Sequence, residues 1–426
     1  MSHRLRTLGL VTMAALPVIL AGCAGSSPTN STLPSGGNVV TLTYGNFTAA
    51  TIPGEAKLIT QFEATHPNIK IKLLELPLDN YQNNLQLGVR TKKNPDVFEA
   101  IPEWLNDFHK YNVLTDLTPT DKVEYEKRFL PIGLQSVSLE GHLYGAPFRV
   151  GESAVFVNPA LFKAAGIPIP RSWTWDGFWA TAKKLTDPSK QQYGFAVPVS
   201  SAQSDLGSSW TWLTYLFSNG GQMVGGGKAS INNAAGVAAL NNYIKPYKAG
   251  IEPRQQLSWG TNDVVQAFGQ GKVAMWLNGP WYISTIETSF PKFDFKVVPL
   301  PTGTTYGSAA GGTFIGISSQ TSHPAEAREF VNYMTSEAVL SKWAQEGQFL
   351  PPVKSILSTP PFQTDKLKPF SDHLEEPGMV VTGLTPSNTA LMSSLQAAIE
   401  SAMSGATSPK AALDQAAQTW NAKLAG

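Results

Sequence analysis

The chain has 426 residues, more than one ordinary hydrophobic core accommodates, so two domains or lobes are expected. Hydrophobic residues make up 42% and charged residues 15%, with a formal net charge of +1, which leaves no basic face for nucleic acid. Aromatic residues are plentiful, and no block of like charges marks an interaction tail.

The first 38 residues do not read as fold. "MSHRLR" is a basic start, and "LGLVTMAALPVIL" (8–20) is an apolar stretch too short to span a bilayer comfortably. "LAGC" follows and resembles the lipobox of bacterial lipoproteins. Residues 1–22 then form a signal peptide, and cleavage before Cys23 exposes a thiol for lipidation. Cys23 has no disulfide partner in the chain. "AGSSPTNSTLPSGGN" (24–38) is small, polar and rich in Pro and Gly, the composition of a flexible tether.

The body opens as an α/β unit. "VVTLTYGNF" (39–47), "IKIKLLEL" (69–76) and "PDVFEAI" (95–101) read as strands. Helical patterns at 53–67 and 78–93 separate them, so the order predicts a parallel, doubly wound sheet. Ligands of such sheets sit beyond the carboxyl ends of the strands, where Asn46, Phe47, Glu75 and Glu99 stand. Asp96, at the start of its strand after Pro95, suits a structural role.

Further on, 141–162 holds a turn and one long apolar strand, and "SWTWDGFWATAKKLTD" (172–187) is a helix capped by Thr174. "YGFAVPV" (193–199), "KVAMWLN" (272–278), "FDFKVVPLP" (293–301) and "GGTFIGIS" (311–318) read as strands. "WTWLTYLFSNGG" (210–221), 234–250, 262–271, 323–336 and the Ala-rich tail from about 386 to 424 read as helices. No repeat of fixed period is present.

The ordered set "LAGC", "YGAP", "TWDGFWATAKKLT", "YGF", "AFGQGKVAMWLNGPW", "VVPLPTG", "HPAEAREFVNYM" and "EGQFLPPVKS" resembles the extracellular solute-binding proteins of carbohydrate-uptake ABC transporters, the family that includes maltose-binding protein. The resemblance covers nearly all of 40–424. It implies an α/β, two-lobed, periplasmic-binding-protein-like fold of type II, crossed three times by the chain near 148–152, 300–310 and 337–345. The lobes are then 39–149 with 306–340, and 150–305 with 341–426. It further implies a monomeric protein outside the cytoplasm that traps a sugar between lobes and delivers it to permease subunits in the membrane, without a cofactor.

A sugar offers C–H faces and hydroxyl edges, so its site needs aromatic plates beside polar side chains. Trp281, after the Gly279–Pro280 turn, matches the family's cleft tryptophan, whereas Trp276 in an apolar strand suits the core. Trp210 and Trp212, two apart on a helix, point different ways, and either can face the cleft. Trp259 lies in a Gly-flanked loop. Glu99, Glu103 and Trp104 follow a strand end where the family places acidic and aromatic ligand residues. Arg149 and Glu152 stand at the hinge, and Gly311 and Gly312 allow the backbone near a ligand. The stretch "LTPSNTALMSSL" (384–395) lacks a tryptophan that the maltose-binding branch carries, which argues against maltodextrin specificity. Arg149 also suits an anionic or amino-bearing sugar.

Two alternatives follow from the residues. One is a binding protein for a polyol, glycerol phosphate or peptide; the other is a glycoside hydrolase using two of Glu99, Glu103 and Glu152. The six histidines are scattered without metal-ligand spacing, and "GGGKA" and "GQGKV" lack the full phosphate-loop pattern.

Overall fold

The computed structural model describes residues 39–47, 54–76, 80–201, 207–385 and 387–425. The signal-peptide reading, Cys23 and the tether lie outside the described residues. Among the described residues, no helix is long and apolar enough to cross a membrane.

Two sheets organise the body. The first contains β1 (Val40–Asn46), β2 (Ile69–Glu75), β3 (Val97–Ala100), β4 (Ala146–Glu152), β8 (Ser308–Ile317) and β9 (Met379–Val381). The second contains β5 (Ala154–Val157), β6 (Met275–Asn278) and β7 (Lys296–Val298). Strand β1 runs parallel to both β2 and β3, as the alternation of apolar strand and amphipathic helix predicts. Helices Glu55–Thr65 and Tyr81–Thr91 make the crossovers. In the second sheet β5 lies between β6 and β7, antiparallel to each. Its four residues are all buried, as befits a central strand.

The apolar run from Ala146 to Val157 is thus two strands in two sheets, not one. Ser153 is the step between them, and it is fully buried. Strand β8 is the other main link. Its residues 308–310 pair with β9, 310–315 with β4 and 314–317 with β3, and in the β4 pairing a register shift falls between Thr313 and Phe314.

Local signals explain several boundaries. Thr174 Oγ1 accepts from Gly177 N at 3.2 Å and starts helix Trp175–Lys184. Asn233 Oδ1 does the same for Gly236 N at 2.9 Å at the head of Ala234–Lys248. Asp96 is structural: its carboxylate accepts from the Thr43 amide (2.8 Å), the Thr43 hydroxyl (2.7 Å) and the Thr321 hydroxyl (2.7 Å). The Ala-rich tail is two helices, Asn388–Ser404 and Pro409–Leu424, separated at Gly405 with φ 83°.

Two expectations are corrected. Residues 193–199 form no strand and keep only an isolated bridge from Tyr193 to Val273. Gly194 lies so close to Ala182 that a Cβ would stand 1.9 Å from its carbonyl oxygen, and Pro198 has no N–H for a ladder. Residues 337–345 lie inside one continuous helix, Glu337–Gly347, that packs on the first sheet. There Trp343 stacks on Phe148 of β4 with centroids 4.4 Å apart. The following segment reaches the second sheet at Phe370, whose ring is 5.7 Å from Phe156 of β5.

Candidate functional site

Strands β4 and β8 form an antiparallel ribbon where the two sheets meet. Gly151 lies opposite Gly311, Val150 opposite Gly312, and Arg149 opposite Thr313. Side chains alternate along a strand, so Arg149 and Gly151 share one face, and across from them Thr313 and Gly311 share it too. Val150 and Glu152 belong to the other face.

On the shared face, the two glycines are a floor for two tryptophans. A Cβ on Gly311 would stand 2.6 Å from Trp210 Cη2, so the indole rests on bare backbone. A Cβ on Gly151 would meet Pro280 Cγ at 3.0 Å and Trp281 Cζ3 at 3.7 Å. The indoles of Trp210 and Trp281 stand edge to face, with centroids 6.4 Å apart and planes at 79°. Trp210 is fixed by its Nε1, which donates to Ser153 Oγ at 3.0 Å. Trp281 caps helix Tyr282–Ser289, folds back over Gly279, and keeps 40% of its surface exposed.

One rung along, about 7 Å away by strand rise, the ribbon becomes polar. Arg149 Nε donates to Thr313 Oγ1 at 3.0 Å, and its Nη2 forms an ion pair with Glu99 at the end of β3. Glu99 is fully buried, whereas the Arg149 side chain retains 12% exposure. Behind the pair lies a buried polar cluster. Asn46 Nδ2 donates to the Tyr44 hydroxyl at 3.1 Å and to Glu55 Oε1. Burial, reinforced by the charge on Glu99, pushes the Glu55 carboxyl up to about 8. At neutral pH the cluster therefore holds Glu55 uncharged.

The other sequence candidates divide by location. Phe47 is half-buried and packs edge-on against Tyr81 (5.3 Å) and Trp104 (5.8 Å), and Trp104 is itself core. Glu103 is buried and accepts from Thr382 Oγ1 at 2.6 Å; burial pushes its carboxyl up to about 7. Glu152 faces away from the tryptophans, fully buried, and accepts from the Tyr306 hydroxyl, which stacks on His373. Burial holds its carboxyl well above the ordinary carboxylate range. Gly312 has φ 149°, and a Cβ there would collide with the Arg149 carbonyl oxygen at 2.1 Å. Glu75 is exposed at the tip of β2.

Three tryptophans fall elsewhere. Trp212 has no exposed surface and belongs to the core of the second lobe, since two helical steps turn it away from Trp210. Trp276 is likewise fully buried, 5.4 Å from the Phe156 ring and 4.9 Å from Tyr282. Trp259 is half-buried and lines a separate cavity with Tyr193 and Gln255. Sequence reading did not single out Glu55, Thr313 or Ser153. Glu55 opens a helix just after a strand end, so the strand-end rule reached its neighbours Asn46 and Phe47 but stopped short of it.

Two further hydrogen bonds join segments distant in the chain. Thr389 Oγ1, on the helix that packs against Gly207–Ser218, donates to Gln82 Oε1 at 3.1 Å. Gln348 Nε2 donates to Glu287 Oε2 at 2.9 Å.

Residues 57–369 match the family described as bacterial extracellular solute-binding protein. The chain is 23% identical over 369 residues to a galactooligosaccharide-binding protein of Bacillus subtilis, covering 85% of this chain and 84% of that one. It is 26% identical over 380 residues to a lipoprotein of Streptomyces antibioticus, covering 84% and 79%. In fold it superposes with TM-score 0.81 and 23% identity on an ABC transporter solute-binding protein of Thermotoga lettingae solved with α-D-tagatose, covering 90% and 100%. The architecture is therefore that of the two-lobed type II periplasmic-binding proteins, and the chain belongs to the family of bacterial extracellular solute-binding proteins.

Proposed function

We propose that the protein is the substrate-binding component of an ABC importer and captures a sugar where the β4–β8 ribbon joins its lobes. The observation that carries this is the aromatic corner of Trp210 and Trp281 on a bare glycine floor, one rung from Arg149 and Glu99. An aromatic plate matches the C–H face of a pyranose or furanose, and the ion pair supplies donors and acceptors to its hydroxyls. Names of relatives, among them a multiple sugar-binding protein of Streptococcus mutans, support the same class. The ligand residues in this reading are Trp281, Trp210, Arg149, Glu99, Asn46 and Phe47, with Gly151 and Gly311 as floor.

Capture works by closing the lobes about the ribbon, and a ligand drives closure only by touching both. The lipid on Cys23 then keeps the domain near the permease. Hydrolysis is the weaker alternative. Glu99 is tied to Arg149, Glu103 to Thr382 and Glu152 to Tyr306, and Glu152 occupies the opposite face of the ribbon. A binding protein for peptides or phosphorylated solutes fits less well, because Arg149 is already neutralised by Glu99.

The test is a thermal-shift screen of the mature chain with mono- and oligosaccharides, polyols and peptides. A ligand that binds only the folded state raises the melting temperature. A shift with peptides or polyols and none with saccharides overturns the sugar reading.

A further inference from the structure

We infer a second carbohydrate site, distinct from the cleft, at the outer end of the second lobe. A cavity of about 220 Å³ opens there, beside Lys272 and Val273. Strand β6 starts next to it and runs away from it, to Asn278 and on to Trp281. By strand rise, Val273 and Asn278 alone are about 16 Å apart. The cavity and the aromatic corner therefore lie at opposite ends of one strand, and Trp259 serves the former.

Its lining has the chemistry of a neutral polyhydroxy ligand. Gln191, Gln255, Gln266 and Gln270 surround the half-buried rings of Tyr193 and Trp259. The four glutamines are solvent-exposed and their carboxamides make no side-chain hydrogen bond among the described residues, so each can donate to and accept from a bound hydroxyl in place of water. Hydroxyls need that pairing, and the indole supplies the plate for a C–H face. The framework is built rather than loose. Trp259 O accepts from Val199 N at 3.0 Å and Ser200 N at 3.1 Å, and Tyr193 N donates to Lys272 O at 2.9 Å. Asp263 Oδ2 accepts from Gly260 N at 2.9 Å and starts helix Thr261–Gly269, which puts Gln266 one turn on and Gln270 at its end, along the same face.

Charge and size narrow the class. The lining carries one carboxylate, Asp263, and one ammonium, Lys272, so it has no net field to select an ion. The volume equals about seven waters at ~30 Å³ each, the space of a single sugar ring. The ligand is thus a monosaccharide, a hexitol, or one terminal ring of a longer glycan.

The test uses the mature protein labelled with 5-fluorotryptophan and followed by ¹⁹F NMR. Trp259→Phe removes and so assigns one resonance. Glucose, galactose, mannose, sorbitol and inorganic phosphate are titrated to ~100 mM, a range that reaches weak millimolar sites. The expected result is a saturable shift of the Trp259 resonance with a neutral compound. It persists in Trp281→Ala and weakens about tenfold in Gln266→Ala. The inference is overturned when that resonance responds to none of the compounds, responds to phosphate alone, or loses its response in Trp281→Ala. Failure of the cleft reading is separate, since it appears at the Trp281 resonance.

Discussion

Replacing Trp281 with alanine tests the cleft most directly. Trp281 keeps 40% of its surface exposed, although Met275, Trp276 and Leu277 just before it are buried, so a ligand has real area to cover. Taking ~250 Å² for a tryptophan, the exposed part is about 100 Å². At ~25 cal/mol per Å² its full coverage stabilises the complex by about 2.5 kcal/mol, and half coverage by about 1.2 kcal/mol. Trp281→Ala should therefore weaken binding by roughly eight- to seventyfold. The assay is isothermal titration calorimetry with the sugar giving the largest thermal shift, alongside the variant's melting temperature without ligand. A wild-type affinity, within about twofold, in a normally melting variant would refute the argument and make Trp281 a structural residue. Trp276→Ala is the contrasting control. It empties a fully buried site and should cost about 3–5 kcal/mol of stability, with affinity kept in the fraction that folds.

Gly311→Ala places a methyl 2.6 Å from Trp210 Cη2, inside contact distance, and Trp210 is held by Ser153. It should cost about 1–3 kcal/mol of stability and lower affinity as well; calorimetry finding neither would place Trp210 elsewhere. Gln82→Ala removes the acceptor of Thr389, worth about 0.5–1.5 kcal/mol toward closure. The unliganded variant should show a larger radius of gyration by small-angle scattering, and an unchanged radius would count against the bridge. Glu252 is buried, accepts from the Gln256 carboxamide, and has its carboxyl pushed up to about 8 by burial. In the unfolded chain it titrates near 4.5. Its neutral form stabilises the fold below that value, and the contribution is lost as pH rises from about 4.5 to about 8. Glu252→Gln should raise the melting temperature at pH 8 and leave it unchanged at pH 4.5, the gap reaching about 4 kcal/mol at most. An equal shift at both pH values would rule out titration as the cause.

The sequence exposed the parallel pairing of the first three strands and the division between buried Trp276 and exposed Trp281, because both rest on local pattern. Apolar alternation marks a strand, and a Gly–Pro turn ends it with the next side chain freed. It could not separate Trp210 from Trp212. Their spacing says that they diverge, but which one meets the core depends on β8, about a hundred residues later. Parity hid Glu152 in the same way. Arg149 and Glu152 look alike in the string, yet three steps along a strand reverse the face, and only pairing with β8 shows which face carries the tryptophans. The break at Ser153 was illegible because a residue leaving one sheet for another needs no turn chemistry. The cavity at Trp259 needs residues 191, 255 and 266 together, a convergence no linear spacing announces.

The ribbon also bears on how much work a ligand must do. Moving a two-state equilibrium from 1:99 to 99:1 takes about 5.5 kcal/mol of differential affinity. Stacking on Trp281, at most about 2.5 kcal/mol by the area worked above, counts toward this only where the contact forms on closure. A sugar stacked on Trp281 and Trp210 alone would touch only side chains carried by the second lobe and would gain little from closure. The differential affinity must therefore come from groups across the cleft. Arg149, one rung from the corner, and its ion-pair partner Glu99 near the end of β3 are the charges that can supply it. The bridges Thr389–Gln82 and Gln348–Glu287 each shift the unliganded equilibrium by about 0.5–1.5 kcal/mol, and so set how much differential affinity a ligand must supply. With both removed, the same sugar should bind the second lobe without closing the first over it. A Gln82→Ala, Gln348→Ala double variant should therefore retain Trp281 fluorescence quenching by sugar and lose the ligand-induced compaction in scattering. Loss of both signals together would mean that the two lobes bind as one surface, and that closure is not a separate step.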